Sequence, residues 1–301
     1  MRKRYNIFPL LVIISALFVL TAVGFYYFES NHIAKSIPAT TEREVKVSLD
    51  AGLGTIYLSK GSSSKILDAD ADIEKVNDLS DCISYSVKDD VGYLDINTGG
   101  NTEGKHDRKR DRSGIHIGHL ESSTWRLQFT DAVPIAFDIE MGLGKADLDF
   151  SDLLVKDLTL STGASSVTFR FDRPNKKVIQ NLNLEAGLSK FRAEGLCNAN
   201  FNHMKFSGGV GTYSLDFGGK LDKEVDVDIE LGLGTLTITI PEEFGTKISY
   251  EKNWLSHFDV DKADFSEREE NVYYSQNFRT ASGRLNMHIE AGLGTVKIRR
   301  E

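Results

Sequence analysis

The chain has 301 residues, of which 27% are charged and 40% hydrophobic, with five prolines and a formal net charge of −8. This is the composition of a folded chain of one or two domains, and it excludes a disordered polymer. Met1-Arg2-Lys3-Arg4 contributes +3 from side chains, so the remainder carries −11, and an acidic body argues against binding nucleic-acid phosphates.

Ile7 to Phe28 is a run of 22 residues without a charge. As a helix it spans roughly 33 Å, enough for a bilayer core. The basic residues before it predict a cytoplasmic N-terminus and an exported body. Residues 1–28 therefore read as a basic stub and a single membrane anchor. A signal peptide cleaved near Ala22-Val23-Gly24, giving a secreted protein, is the competing reading. The length of the run and the interfacial aromatics Phe25-Tyr26-Tyr27-Phe28 favour the uncleaved anchor. Residues 29–43 show no period and read as a tether.

From residue 44 the pattern is β. Val45, Val47 and Leu49 alternate with polar residues, Asp50-Ala51-Gly52-Leu53-Gly54 forms a corner, and Ile56 and Leu58 follow. Residues 66–79 fit a short helix or a loop. Ile83–Val87, Tyr93–Ile96 and Trp125–Phe129 are strand candidates. Between them lies a mixed-charge insertion, residues 97–114, with Lys105, Arg108, Lys109, Arg110 and Arg112. It reads as a solvated loop, and contact with an anionic surface polymer is the functional alternative.

From 133 to 241 one phrase recurs. It stands as Ile139-Glu140-Met141-Gly142-Leu143-Gly144, Leu160-Ser161-Thr162-Gly163-Ala164-Ser165 and Leu184-Glu185-Ala186-Gly187-Leu188-Ser189. It returns as Phe206-Ser207-Gly208-Gly209-Val210-Gly211 and Ile229-Glu230-Leu231-Gly232-Leu233-Gly234. A period near 22 residues signals stacked supersecondary units. Each unit reads as two short strands about a Gly corner, too short for a βαβ crossover. The fold expected is all-β: a single-stranded parallel β-solenoid of about 22-residue coils, stacked about 4.8 Å apart, after one N-terminal transmembrane helix. Gly52, Gly142, Gly163, Gly187, Gly209, Gly232 and Gly292 are its structural turn glycines. The column before each Gly alternates Glu140, Ser161, Glu185, Ser207, Glu230, which keeps carboxylates two coils apart.

After Pro241 the rhythm stops, and residues 242–301 read as a capping region of the 44–301 solenoid domain. The aromatics Trp254, Phe258, Phe265, Tyr273, Tyr274 and Phe278 suit a hairpin or cap over an open strand edge. Ile289-Glu290-Ala291-Gly292-Leu293-Gly294 repeats the corner phrase and closes the chain as a strand pair.

Phe137-Asp138-Ile139-Glu140-Met141-Gly142-Leu143-Gly144, Leu160 to Ser165, Pro174-Asn175, Gly195 to Phe201 and Gly208 to Phe217 together resemble the toast-rack proteins. That group includes proteins described as bacterial adhesins and the Lia-type cell-envelope stress membrane proteins. The resemblance covers roughly residues 44–301 and is strongest from 133 to 241. It implies a bacterial β-solenoid exposed at the envelope, without established enzyme chemistry, so no catalytic residue carries over. Lia-type proteins have several N-terminal spans and this chain has one, a departure that bears on the signalling role.

Other candidate chemistry is sparse. Gly208-Gly209-Val210-Gly211-Thr212-Tyr213 has the outline of a calcium β-roll repeat, but Tyr213 stands where the carboxylate is needed. Asp259, Asp261 and Asp264 read as a solvated turn, since an EF-hand's Gly and later Glu are missing. His106, His116 and His119 read as surface histidines in preference to a zinc set. Cys82 and Cys197 could pair on an oxidising side, but a buried free thiol suits Cys197 better. Asp147, Asp149 and Asp152 share a face, as acids do in solenoid enzymes that cleave acidic polysaccharide. A solvent-facing stripe accounts for them equally well. The function expected is a non-catalytic binding or scaffold module with no cofactor, its partner another envelope protein or a surface polymer. A role in envelope-stress signalling is the finer expectation, with a cell-surface adhesin the first alternative and a polysaccharide-acting enzyme the second.

Overall fold

The computed structural model describes residues 31–73, 78–99, 123–251 and 254–301. The span read as the membrane anchor lies outside the described residues, as do His106, His116, His119 and most of the mixed-charge insertion. No helix among the described residues is long and apolar enough to cross a membrane. These residues form an all-β fold with two short 3-10 turns and one extended sheet.

Seven long strands make its centre. They are β2 (Glu44–Lys60), β7 (Ile135–Asp149), β8 (Val155–Arg170), β9 (Ile179–Glu194), β10 (Phe201–Asp216), β11 (Glu224–Ile240) and β16 (Arg284–Arg300). They pair in parallel in that spatial order. Each repeat, expected as two strands, is one strand bent at its Gly corner into a first and a second arm. Period-2 alternation sends one side of each arm inward. Leu49, Ile139, Leu160, Leu184, Phe206, Ile229 and Ile289 stack in register as an inner column of the first arms. Every one is at most 1% exposed. Leu148, Phe169, Leu215 and Ile238 answer from the second arms. The arms meet across the core: Phe137 of the first packs edge-on against Phe150 beyond the second, ring centroids 5.3 Å apart. This geometry is consistent with a β-solenoid of one coil per repeat.

Side-chain amides hold the returns between coils. Asn175 Nδ2 donates to the carbonyls of Val155 (2.6 Å) and Ala199 (3.2 Å), and its Oδ1 accepts from Val155 N. Asn198 donates to Phe171 O and accepts from Lys220 N. Asn200, at φ 58°, donates to the carbonyls of Asn175 and Lys177. Buried backbone groups that the loops would leave unpaired are thereby satisfied.

Both ends of the stack differ from a simple sequential pile. β5 (Val91–Asn97) pairs the first arm of β2 and β6 (Ser123–Phe129) its second, so together they form a coil outside β2. At the far end β12 (Gly245–Glu251) and β13 (Ser256–Asp259) pair the two arms of β16 and make a coil beyond it. The last strand is therefore an interior coil between β11 and β12, where a closing strand pair was expected, and capping falls to residues 241–283. A hairpin of β14 (Phe265–Glu269) and β15 (Val272–Ser275) lies against β12, as the aromatics suggested.

At the N-terminal end, two expectations change. β1 (Asn31–Pro38) falls within the span read as a tether and pairs with β3 (Lys65–Ile73). Its period is masked in sequence because Lys35 takes an inward position, donating to Ile83 O at 2.9 Å. β3 occupies the stretch read as helix or loop. Leu67, Ala69, Ala71 and Ile73 are buried while Asp68, Asp70 and Asp72 alternate outward, and small inward alanines disguise a period of two. β4 (Ile83–Lys88) pairs β5 as a hairpin.

Candidate functional site

The corner phrase sets the surface. In β7, alternation buries Ile139 and Met141 and would bury Leu143 next, but Leu143 is exposed and burial resumes at Ala146. The corner therefore shifts the phase by one residue. Close approach constrains both corner positions. A Cβ on Gly142 would stand 2.6 Å from Gly52 O, and one on Gly163 2.5 Å from Gly142 O. The first Gly thus permits close approach of neighbouring coils. The second is tighter still, a Cβ on Gly144 standing 1.9 Å from Gly54 O, and it adds a backbone requirement, with φ 132° at Gly144 and 141° at Gly234.

Stacked in register, the displaced residues become a line: Leu53, Leu143, Ala164, Leu188, Val210, Leu233 and Leu293. Leu255 extends it, its carbonyl accepting from Gly294 N, and the preceding residue, Trp254, is 90% exposed. Leu188 is 64% exposed. Most of the exposed large apolar side chains among the described residues fall on this one ridge, and apolar exposure that is contiguous points to interaction.

Beside the ridge runs a floor of glycines, and beyond it a rail of acids. The rail and the glycines line a shallow trough, and the ridge flanks it one residue beyond the glycines. In space the rail reads Asp50, Glu140, Ser161, Glu185, Ser207, Glu230, Glu290, Glu251. The expected Glu–Ser alternation holds only in the middle. At the ends β2 and β16 insert out of sequence order, so Asp50 adjoins Glu140 and three glutamates stand in a row. Ser161 and Ser207 each donate towards the next glutamate, at 3.4 and 3.2 Å. Lys205 lies 2.7 Å from Glu230, and its hydrogen bond holds that carboxyl below the usual range. His288 Nε2 sits 3.3 Å from Glu290 and 3.5 Å from Glu251. These three could offer ligand atoms within 4.8 Å of one another, but all are solvent-accessible and their contacts are those of an ion-pair ladder.

The sequence candidates resolve differently. Arg170 bridges Asp147 (2.6 Å) and Asp149 (3.4 Å), and Arg173 pairs with Asp152. These acids are thus committed to cations of the next coil. Tyr213 is buried, its hydroxyl donating to Gly187 O at 3.0 Å, so it fills the place a calcium ligand would need. Asp261 caps its own turn by accepting from Ala263 N, and Asp259 pairs with Arg299 at 2.7 Å. Cys82 and Cys197 are both free and buried, and burial pushes both thiols up. The ridge is what sequence reasoning missed. Its signal was the one apolar residue that follows the corner Gly of each coil and precedes a Gly or Ser, which strict alternation assigns to the core.

Two solved structures show the kind of protein the chain is similar to. One is described as a "putative cell adhesion protein" from Clostridium sporogenes, with 20% identity and a TM-score of 0.44, covering 90% of this chain and 100% of that one. Another is a "putative adhesin" from Bacteroides fragilis, with 14% identity and a TM-score of 0.35, covering 89% of this chain and 97% of that one. The comparison with curated proteins found no match. The family described as the N-terminal domain of toast_rack, DUF2154, matches residues 28–192. With more than half of its residues inside that match, the chain belongs to the toast-rack family.

Proposed function

We propose that this protein is a non-catalytic binding or scaffold module displayed at the bacterial cell envelope. The observation that carries the reading is a trough lined by the acid rail and flanked by the exposed apolar ridge, both repeated coil after coil. Such a surface distributes contact along its length, whereas catalysis needs convergent groups. The pairing of Asp147, Asp149 and Asp152 with Arg170 and Arg173 supports it further, since neither a free acid nor a free base remains in that set. The anchor at residues 7–28 holds the N-terminus in the cytoplasm and the body outside, where it binds another envelope protein and modulates envelope-stress signalling.

A turnover assay of the full chain on cell-wall glycans and acidic polysaccharides tests the reading. No product is expected. Product that disappears on Asp147→Asn or Asp149→Asn would make the protein an enzyme.

A further inference from the structure

We propose that the trough docks one amphipathic α-helix of a partner polypeptide, a helix bearing a basic stripe beside an apolar stripe. This rests on the reading of the chain as a binding module and names the partner's chemistry.

Four features of the trough select this occupant. The first is length. Eight coils at about 4.8 Å span roughly 34 Å, the length of a helix of about 22 residues. The second is width. The acid rail and the ridge are three residues apart along each coil, about 10 Å at most. A helix about 10–12 Å across, lying over the glycines, can therefore touch both lines at once. The third is repeat. The coil spacing lies between the rises of three and four helical residues, about 4.5 and 6 Å, so side chains at i, i+3, i+4 and i+7 meet successive coils.

The fourth is charge, and it removes the rival occupants. Glu140, Glu185 and Glu290 line the trough on one side of the glycines, while Leu188, Leu233 and Leu293 stand exposed one residue beyond them on the other. A second copy of this chain would set acid rail against acid rail, or bury unpaired carboxylates on the opposing ridge, and both are costly. An anionic lipid surface or polymer is repelled by the same acids. A cationic helix answers both sides at once, its lysines or arginines on the rail and its apolar stripe on the ridge.

The test uses the full chain in nanodiscs of zwitterionic lipid, with empty nanodiscs as blank. The probe is a dye-labelled peptide of 22 leucines and lysines in total, arranged as adjacent helical stripes, followed by fluorescence anisotropy. Saturable binding above the blank is expected, weakening as salt rises. A scrambled peptide of the same composition is expected to bind about tenfold more weakly or worse. Leu188→Asp combined with Leu233→Asp should weaken binding by about tenfold or more. Glu185→Gln combined with Glu290→Gln, which leaves the ridge intact, should flatten the salt dependence. Val178→Asp, at an exposed apolar residue off the trough, should change nothing. Binding no greater than the blank overturns the proposal, as does equal binding of the scrambled peptide. So does anionic-vesicle binding that the ridge variant abolishes, or a dimer in sedimentation that the peptide fails to displace. Any of these leaves the non-catalytic reading standing, because that reading falls only on product formation.

Discussion

A column of glycines at the corners reads as uniform in sequence, yet its members sit in unequal surroundings. A Cβ at Gly163 would meet Gly142 O at 2.5 Å, while one at Gly52 meets nothing within 4 Å. Gly163→Ala is therefore expected to destabilise the fold by about 1–3 kcal/mol, as overpacking does, with Gly52→Ala near neutral. Equal midpoints for the two variants in a urea titration would contradict the assigned contacts. The inward and outward columns offer a second contrast. Leu184 is fully buried and Glu185 is exposed. Leu184→Ala should cost about 2–5 kcal/mol and Glu185→Ala well under that. This contrast was legible from alternation alone. The exposure of Leu188, four residues on, was not, because the phase shift at the corner is a property of backbone geometry.

Among the elements, the N-terminal sheet of β1, β3 and β6 is held differently from the coils. Arg126 and then His32 hydrogen-bond Asp72 and hold its carboxyl below the ordinary range, and Lys60 and Ser63 do the same for Asp131. Carboxyls lowered in the folded state add stability that is present above their unfolded values, about 3.9, and lost as pH falls through the folded ones. Hydrogen exchange in β1 is thus expected to rise as the pH is taken below about 4, and Asp72→Asn should reduce that pH dependence. The thiols have the opposite sign. Burial raises Cys82 and Cys197, so their contribution is present below about pH 8.5, the unfolded thiol value, and lost as pH rises through the folded values. Neither should react with a thiol reagent until the chain unfolds, and rapid labelling of Cys197 in native protein would refute its placement.

On the scale of the whole molecule, the decisive feature is the insertion of both ends into the stack. β16 pairs β11 on one side and β12 and β13 on the other. In a sequential solenoid the last coil could be removed at the cost of one interface. Here, deletion of residues 284–301 separates β11 from the capping coil and opens an unprotected parallel edge. Loss of soluble folded protein is expected, scored by circular dichroism and sedimentation. A truncated chain that keeps β12 and β13 protected from hydrogen exchange would show the insertion to be dispensable. Such long-range closure also predicts slow folding.

By itself, the sequence determined the all-β class, the 22-residue coil, the inward columns and the corner positions, because each follows from local alternation and a fixed repeat. Asp147, Asp149 and Asp152 were visible as a set, but their partners Arg170 and Arg173 come from the neighbouring coil, and only stacking brings them together. Spatial order was likewise decided by tertiary structure. Strand pairing is non-local, so the corner phrases at Gly52 and Gly292 look like terminal repeats in sequence and become interior coils in space. That reordering sets like-charged residues side by side at the rail's ends. Together with the phase shift at each corner, it also turns scattered leucines into one exposed ridge.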